Sequence, residues 1–182
     1  NDAVDYFRKA VALKPESEIA NLSVILSLIK KRDFRPAVGF ATKLAGLATD
    51  PQVRYLALRC SALLSVYLKK YDESVKKFEE LLEIVKRSDL SEEILMTMYD
   101  IGFACIKAEQ TKRAYDYWNG LASIQRNYSG VQELIMTLRR EMDAPDAGER
   151  GYVGESINDA AENWLLNPFP PSFLWGICSL KS

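Results

Sequence analysis

"MYDIGFACIKAEQTKRAYDYW", residues 98–118, places a small residue, Gly102, twelve positions before another, Ala114, with an aromatic, Trp118, four beyond the second. Its first half is apolar at helical spacing (Met98, Ile101, Cys105), and Thr111 opens a second amphipathic run toward Gln125. The stretch therefore reads as two helices that approach closely enough to need small residues at their contact, with a bulky side chain filling the space beside them. The arrangement recurs. Ser74 and Phe78 repeat Ala114 and Trp118, with Ala62 in the upstream slot; Ala37 and Ala41 form the weakest copy, with Ile25 upstream; Ala3 and Phe7 start another, closed by Pro15. The markers Ala3, Ala37, Ser74 and Ala114 are separated by 34, 37 and 40 residues. A period of this size marks an array of helical hairpins, each leaving an apolar face that only the next can cover.

These residues carry a resemblance to the tetratricopeptide-repeat family, whose pattern runs W-x2-L-G-x2-Y, then A-x3-F, then P over 34 residues. The resemblance spans about residues 1–128. Asn21, Ile25 and Ala41 stand where one copy would carry an aromatic, a glycine and an aromatic, and Cys105 replaces a tyrosine in another. The first spacing equals the family period, and the later two require longer helices or loops, mainly around Lys86 to Glu93. The resemblance implies an all-α chain wound as a right-handed α-α superhelix. Residues 1–143 would form the helical-repeat domain: a half-repeat over 1–17, repeats over about 18–51, 52–91 and 92–128, and a capping helix over 130–142. On this reading the segment Asn1 to Leu13 is the second helix of a repeat, and more repeats are expected upstream.

Local signals set the expected helices at about 2–13, 18–31, 35–48, 51–69, 72–87, 92–108, 112–126 and 130–142. Ser17 precedes Glu18, Asp50 precedes Pro51 at a first-turn position, Ser91 precedes Glu92 and Glu93, and Thr111 precedes the last long amphipathic run. From Ala144 to Glu155 a Gly- and Pro-containing connector follows. Gly148, Gly151 and Gly154 lack the preceding strand and following lysine of a phosphate loop. Ser156 and Asp159 have the spacing of a capping box, which opens a short helix over 156–166. The tail 167–182 holds three prolines and an apolar end, "NPFPPSFLWGICSL" over 167–180, which needs a neighbour other than water. It is expected to pack on the solenoid or to bind something else, self-association included.

Composition narrows the function classes. The 182 residues are 48% hydrophobic and 27% charged, which suits a folded domain with a sizeable core. With 24 basic against 25 acidic residues there is no field to draw a polyanion, so nucleic acid is not the expected partner. Lys30, Lys31, Arg32 and Arg35 form one local basic cluster, read as a solvated loop between helices. There is no histidine, the side chain most used for proton transfer near neutral pH and for metal binding. Cys60, Cys105 and Cys178 are few, odd in number and widely spaced, and read as buried thiols rather than a disulfide framework or metal site. No catalytic residue, metal or cofactor is expected. No apolar run reaches the length of about 20 residues that a membrane span needs. A cytoplasmic location is the first expectation, and a periplasmic one follows if a leader has been removed.

In tetratricopeptide arrays the first helix of each hairpin lines a concave groove where ligands bind. The corresponding offsets in this chain are Ile19, Leu22, Leu26 and Ile29; Leu56, Arg59, Leu63 and Val66; and Met96, Tyr99, Phe103 and Ile106. Nearly all are apolar, and the lysine and asparagine of the family's carboxylate clamp are not matched. The helix over 92–108 carries Leu95, Met98, Ile101 and Cys105 on one face and Met96, Tyr99, Phe103 and Ile106 on another, so it should be buried on most sides. Either the last helix or the tail fills the groove, or an apolar segment of a partner protein does. The leading expectation is a non-catalytic protein-interaction scaffold within a larger assembly, of the kind that secretion, flagellar and pilus machines contain. The alternative is a regulatory or accessory repeat domain of a longer enzyme. Asp100 is a candidate polar residue beside the groove, and the sequence names no partner for it.

Overall fold

The computed structural model describes residues 2–88, 91–143 and 156–166. Over these residues the fold is all helical, without a strand: α1 (Asp2–Leu13), α2 (Glu18–Lys30), α3 (Phe34–Leu47), α4 (Pro51–Tyr67), α5 (Tyr71–Arg87), α6 (Ser91–Lys107), α7 (Thr111–Ile124), a single 3-10 turn (Tyr128–Gly130), α8 (Val131–Asp143) and α9 (Ile157–Leu166). The side chain of Ala3, the connector 144–155 and the tail 167–182 with Cys178 lie outside the described residues, as does any self-association through the tail.

From α1 to α8, consecutive helices pack against one another, so that each inner helix touches both its neighbours in the chain. Short connections between such neighbours make them antiparallel hairpins. Start signals act where the sequence places them for α2 and α4: the Ser17 hydroxyl accepts from the Ala20 amide at 3.3 Å, and Asp50 accepts from Gln52 at 2.8 Å and Val53 at 3.4 Å, ahead of Pro51. At α7 the boundary moves by one residue. Thr111 is already helical and Gln110 takes the cap position without a side-chain bond, because a tight turn at Glu109 starts the helix early.

That turn is the strongest repeated feature of the backbone. Arg32, Lys69 and Glu109 all adopt left-handed conformations, with φ of 58°, 59° and 59°. At each one the residue's own amide reaches back three positions, Arg32 to Ile29 (2.9 Å), Lys69 to Val66 (2.8 Å) and Glu109 to Ile106 (3.0 Å). The next amide reaches back five, Asp33 to Leu28 (2.9 Å), Lys70 to Ser65 (2.9 Å) and Gln110 to Cys105 (2.8 Å). This is a Schellman-type closure, usually made with glycine, and here it joins α2 to α3, α4 to α5 and α6 to α7. The three turns recur at the spacings of Ala37, Ser74 and Ala114. The growth in spacing is taken up by the helices, since α2 has 13 residues and α3 has 14, while α4, α5 and α6 have 17 each.

The small-residue positions sit at the helix contacts. A Cβ on Gly102 would lie 2.0 Å from Nε1 of Trp118, so the indole packs directly on the α6 backbone, and Nε1 donates to the Tyr99 carbonyl at 3.2 Å. One hairpin earlier the Ser74 hydroxyl donates to the Ala62 carbonyl at 2.9 Å, and Phe78 is wholly buried nearby in α5. Ala37, Ala41, Ala62 and Ala114 have no exposed surface. Hairpins are also laced at their ends: Glu18 accepts from the Thr49 amide at 2.6 Å, and Gln52 donates to Glu93 at 2.8 Å. The basic cluster of Lys30, Lys31, Arg32 and Arg35 is exposed around the first of the left-handed turns.

Candidate interaction site

The face that α6 turns toward α4 carries a buried ion pair. Arg59 of α4 donates through Nε to Oδ2 of Asp100 at 2.6 Å and through Nη2 to Oδ1 at 3.3 Å. The two residues are 2% and 1% exposed, so both charges are almost fully withdrawn from water. Burial alone opposes the charge on Arg59, but the Asp100 carboxylate, with a contribution from Tyr55, offsets it and holds the guanidinium further toward its protonated form.

Helix α9 lies against this face. Its opening is the capping box expected from sequence: the Ser156 hydroxyl accepts from the Asp159 amide at 3.1 Å, and Asp159 accepts from the Ser156 amide at 3.1 Å and hydroxyl at 2.8 Å. These bonds hold the exposed Asp159 carboxyl below its usual range. Ile157, Ala161 and Trp164 form the buried stripe of α9. Trp164 is the anchor. Its Nε1 donates to Oδ1 of Asp100 at 2.9 Å, and its ring stacks on Phe103 at 5.3 Å between centroids and 14° between planes. Around it, Lys107 pairs with Glu162, the Tyr67 hydroxyl donates to the Leu165 carbonyl, and the Ile157 amide donates to Glu141 of α8 at 2.9 Å.

Phe103 is the hub of an aromatic cluster. Besides stacking on Trp164, it meets Tyr99 and Trp118 edge-on, each at 5.0 Å, and Tyr99 meets Tyr128 at 5.7 Å. The Tyr99 hydroxyl donates to the Ser129 carbonyl at 3.3 Å, where Ser129 and Gly130 both have positive φ. Burial pushes Tyr99 up and Tyr128 up to about 12, so both stay neutral phenols through ordinary pH.

Beside α9 an open cavity of about 800 Å³ remains between α6, α8 and the 3-10 turn, lined among others by Arg59, Met96, Tyr99, Phe103, Tyr128 and Trp164. Its size is that of a ligand or peptide-anchor pocket. Asp100 accepts three hydrogen bonds there, two from Arg59 and one from Trp164, which leaves its carboxylate engaged in holding helices together. Among the described residues no group of three or more His, Cys, Asp and Glu is placed to hold a metal ion. No helix among them is long and apolar enough to cross a membrane. Cys60 and Cys105 are buried and free, and burial pushes each thiol up to about 12.

Of the twelve groove positions named from sequence, the cavity gathers Arg59, Met96, Tyr99 and Phe103, while Ile19 is exposed and Leu56 buried outside it. Leu63, Val66 and Ile106 are buried outside it, and on α2 Leu22 is buried while Leu26 and Ile29 are partly exposed. Sequence reasoning missed the Arg59 to Asp100 pairing and the roles of Trp164 and Tyr128. One signal for the pair was present: the two residues are 41 apart, one more than the local 40-residue repeat offset, so they fall near equivalent positions of adjacent hairpins. No protein-family model matches this chain, and no curated protein matches it in sequence.

Proposed function

We propose that the chain is a tetratricopeptide-like superhelical scaffold, non-catalytic in itself, that holds a helical segment of a partner protein on a concave face built from α2, α4 and α6, as part of a larger assembly. The observation that carries this reading is the seat of α9. A short helix is held on α6 by one aromatic anchor, a stack on Phe103, a hydrogen bond to a buried carboxylate and a peripheral ion pair to Lys107. That is the anatomy of helix-in-groove recognition, in which a central aromatic fills a desolvated pocket inside a polar rim. The recurrence of the left-handed turns at Arg32, Lys69 and Glu109 supports the repeat architecture that would present such a face.

The test compares proteins captured from an extract of the source cells by the wild-type chain and by full-length Phe103→Ala and Tyr99→Ala variants, with circular dichroism on each. Loss of specific capture in variants that keep wild-type helicity supports the reading. Unchanged capture by both folded variants contradicts it.

A further inference from the structure

Helix α9 satisfies the α6 face only in part. It has ten residues, a length at which an isolated helix is marginal in water, and it buries only Ile157, Ala161 and Trp164, while Asn158, Asp159, Glu162, Asn163 and Leu166 remain exposed. It covers the Asp100, Phe103 and Lys107 end of α6. Met96 and Tyr99, nearer the start of α6, border the cavity of about 800 Å³, which Asp100, Phe103 and the α9 residues Ile157, Ala160 and Trp164 also line. The seat thus combines a specific anchor point with unfilled volume beside it, whose lining mixes aromatic side chains (Tyr99, Tyr128) with charged ones (Glu92, Glu133, Arg140).

We infer that α9 is a built-in competitor: it occupies the seat of a partner's amphipathic helix that carries the same chemistry, a tryptophan to stack on Phe103 and donate to Asp100 and a carboxylate for Lys107, and that extends further toward Met96 and Tyr99. This rests on the scaffold reading and specifies its partner. Because α9 belongs to the same chain, it competes for the seat intramolecularly, and an external helix meets a site that is already occupied. A longer helix overcomes this by filling the cavity volume toward Met96 and Tyr99 that α9 leaves open. Aromatic anchoring makes the competition sensitive to a single side chain, since removing Trp164 from α9 alters the competitor and leaves the receptor helices untouched.

The experiment measures binding of a fluorine-labelled synthetic peptide of residues 156–166 to the full-length chain by NMR, up to about 1 mM peptide. It is run on the wild type and on Trp164→Ala, after circular dichroism and light scattering show both to be helical and monodisperse. The expected result is that the variant binds the peptide at least about tenfold more tightly than the wild type, and that a peptide carrying its own Trp164→Ala change binds neither. Equal affinity for both chains, no binding to the folded variant, or equal binding of the tryptophan-less peptide each overturns the competitor role. Such a failure together with lost capture by Phe103→Ala leaves the scaffold reading standing. Unchanged capture by Phe103→Ala and Tyr99→Ala overturns the scaffold reading whatever the peptide does.

Discussion

Arg59 and Asp100, 41 residues apart, form a two-point ion pair between α4 and α6 with each residue no more than 2% exposed. Two charges so far from water are stable only as a pair, and removing one leaves the other buried and uncompensated. Arg59→Met and Asp100→Leu are therefore each expected to lose about 3–5 kcal/mol of unfolding free energy, while the double variant that carries both recovers most of it. Denaturant titration of the two singles and the double gives the coupling directly. A double variant no more stable than either single would show that the pair's environment, not its charge, is what matters.

Gly102 tests the close approach of α6 and α7. Replacing a helix-interior glycine with alanine normally gains about 1 kcal/mol. Here the added Cβ would sit 2.0 Å from an indole that is fully buried and hydrogen-bonded, so overpacking wins and Gly102→Ala is expected to lose about 1–3 kcal/mol. Gly39 in α3 is the control, because nothing lies within 4 Å of its added Cβ. Thermal melts should move in opposite directions for Gly102→Ala and Gly39→Ala.

The left-handed turns make a second backbone prediction. Lys69 and Glu109 hold φ of 59°, a conformation that glycine adopts without steric cost, so Lys69→Gly and Glu109→Gly should be neutral or stabilise by up to about 1 kcal/mol. Glu109→Val, branched at Cβ, should destabilise by about 1–2 kcal/mol. Chemical denaturation checks both, and a stabilising valine would contradict the turn geometry.

The buried thiols set an alkaline limit. Cys60 and Cys105 shift from 9.0 in the open chain to about 12 in the fold because burial disfavours the thiolate. Their pKa is raised on folding, so the stability they contribute is intact below pH 9 and is lost as pH rises toward 12. The slope is about 1.4 kcal/mol per pH unit for each thiol within that window. Cys60→Ala should flatten the fall measured by denaturation between pH 9 and 11, and at pH 8 both thiols of the native chain should resist alkylation.

The helices were largely legible because their signals are short-range. Ser17, Asp50 with Pro51, and the Ser156 and Asp159 box all act within four residues, and the expected limits fall within about two residues of those observed. The Gly102 and Trp118 contact was legible for the same reason, since the repeat spacing ties the two together. What lay beyond reach was set by distance in sequence. Trp164 meets Asp100 across 64 residues, and no local pattern announces which face a last, detached helix will choose. The left-handed turns were hidden because Arg32, Lys69 and Glu109 replace the glycine that would have marked them.

The most direct measurement is hydrogen exchange of the full-length chain, following amides in 156–166 and 91–107 for the wild type and for Trp164→Ala. The expected result is measurable protection of 156–166 in the wild type, its loss to near free-peptide rates in the variant, and retained protection of α6, which α5 and α7 continue to hold. Equal protection of 156–166 in both proteins, or none in the wild type, would contradict a seat for α9 that depends on Trp164.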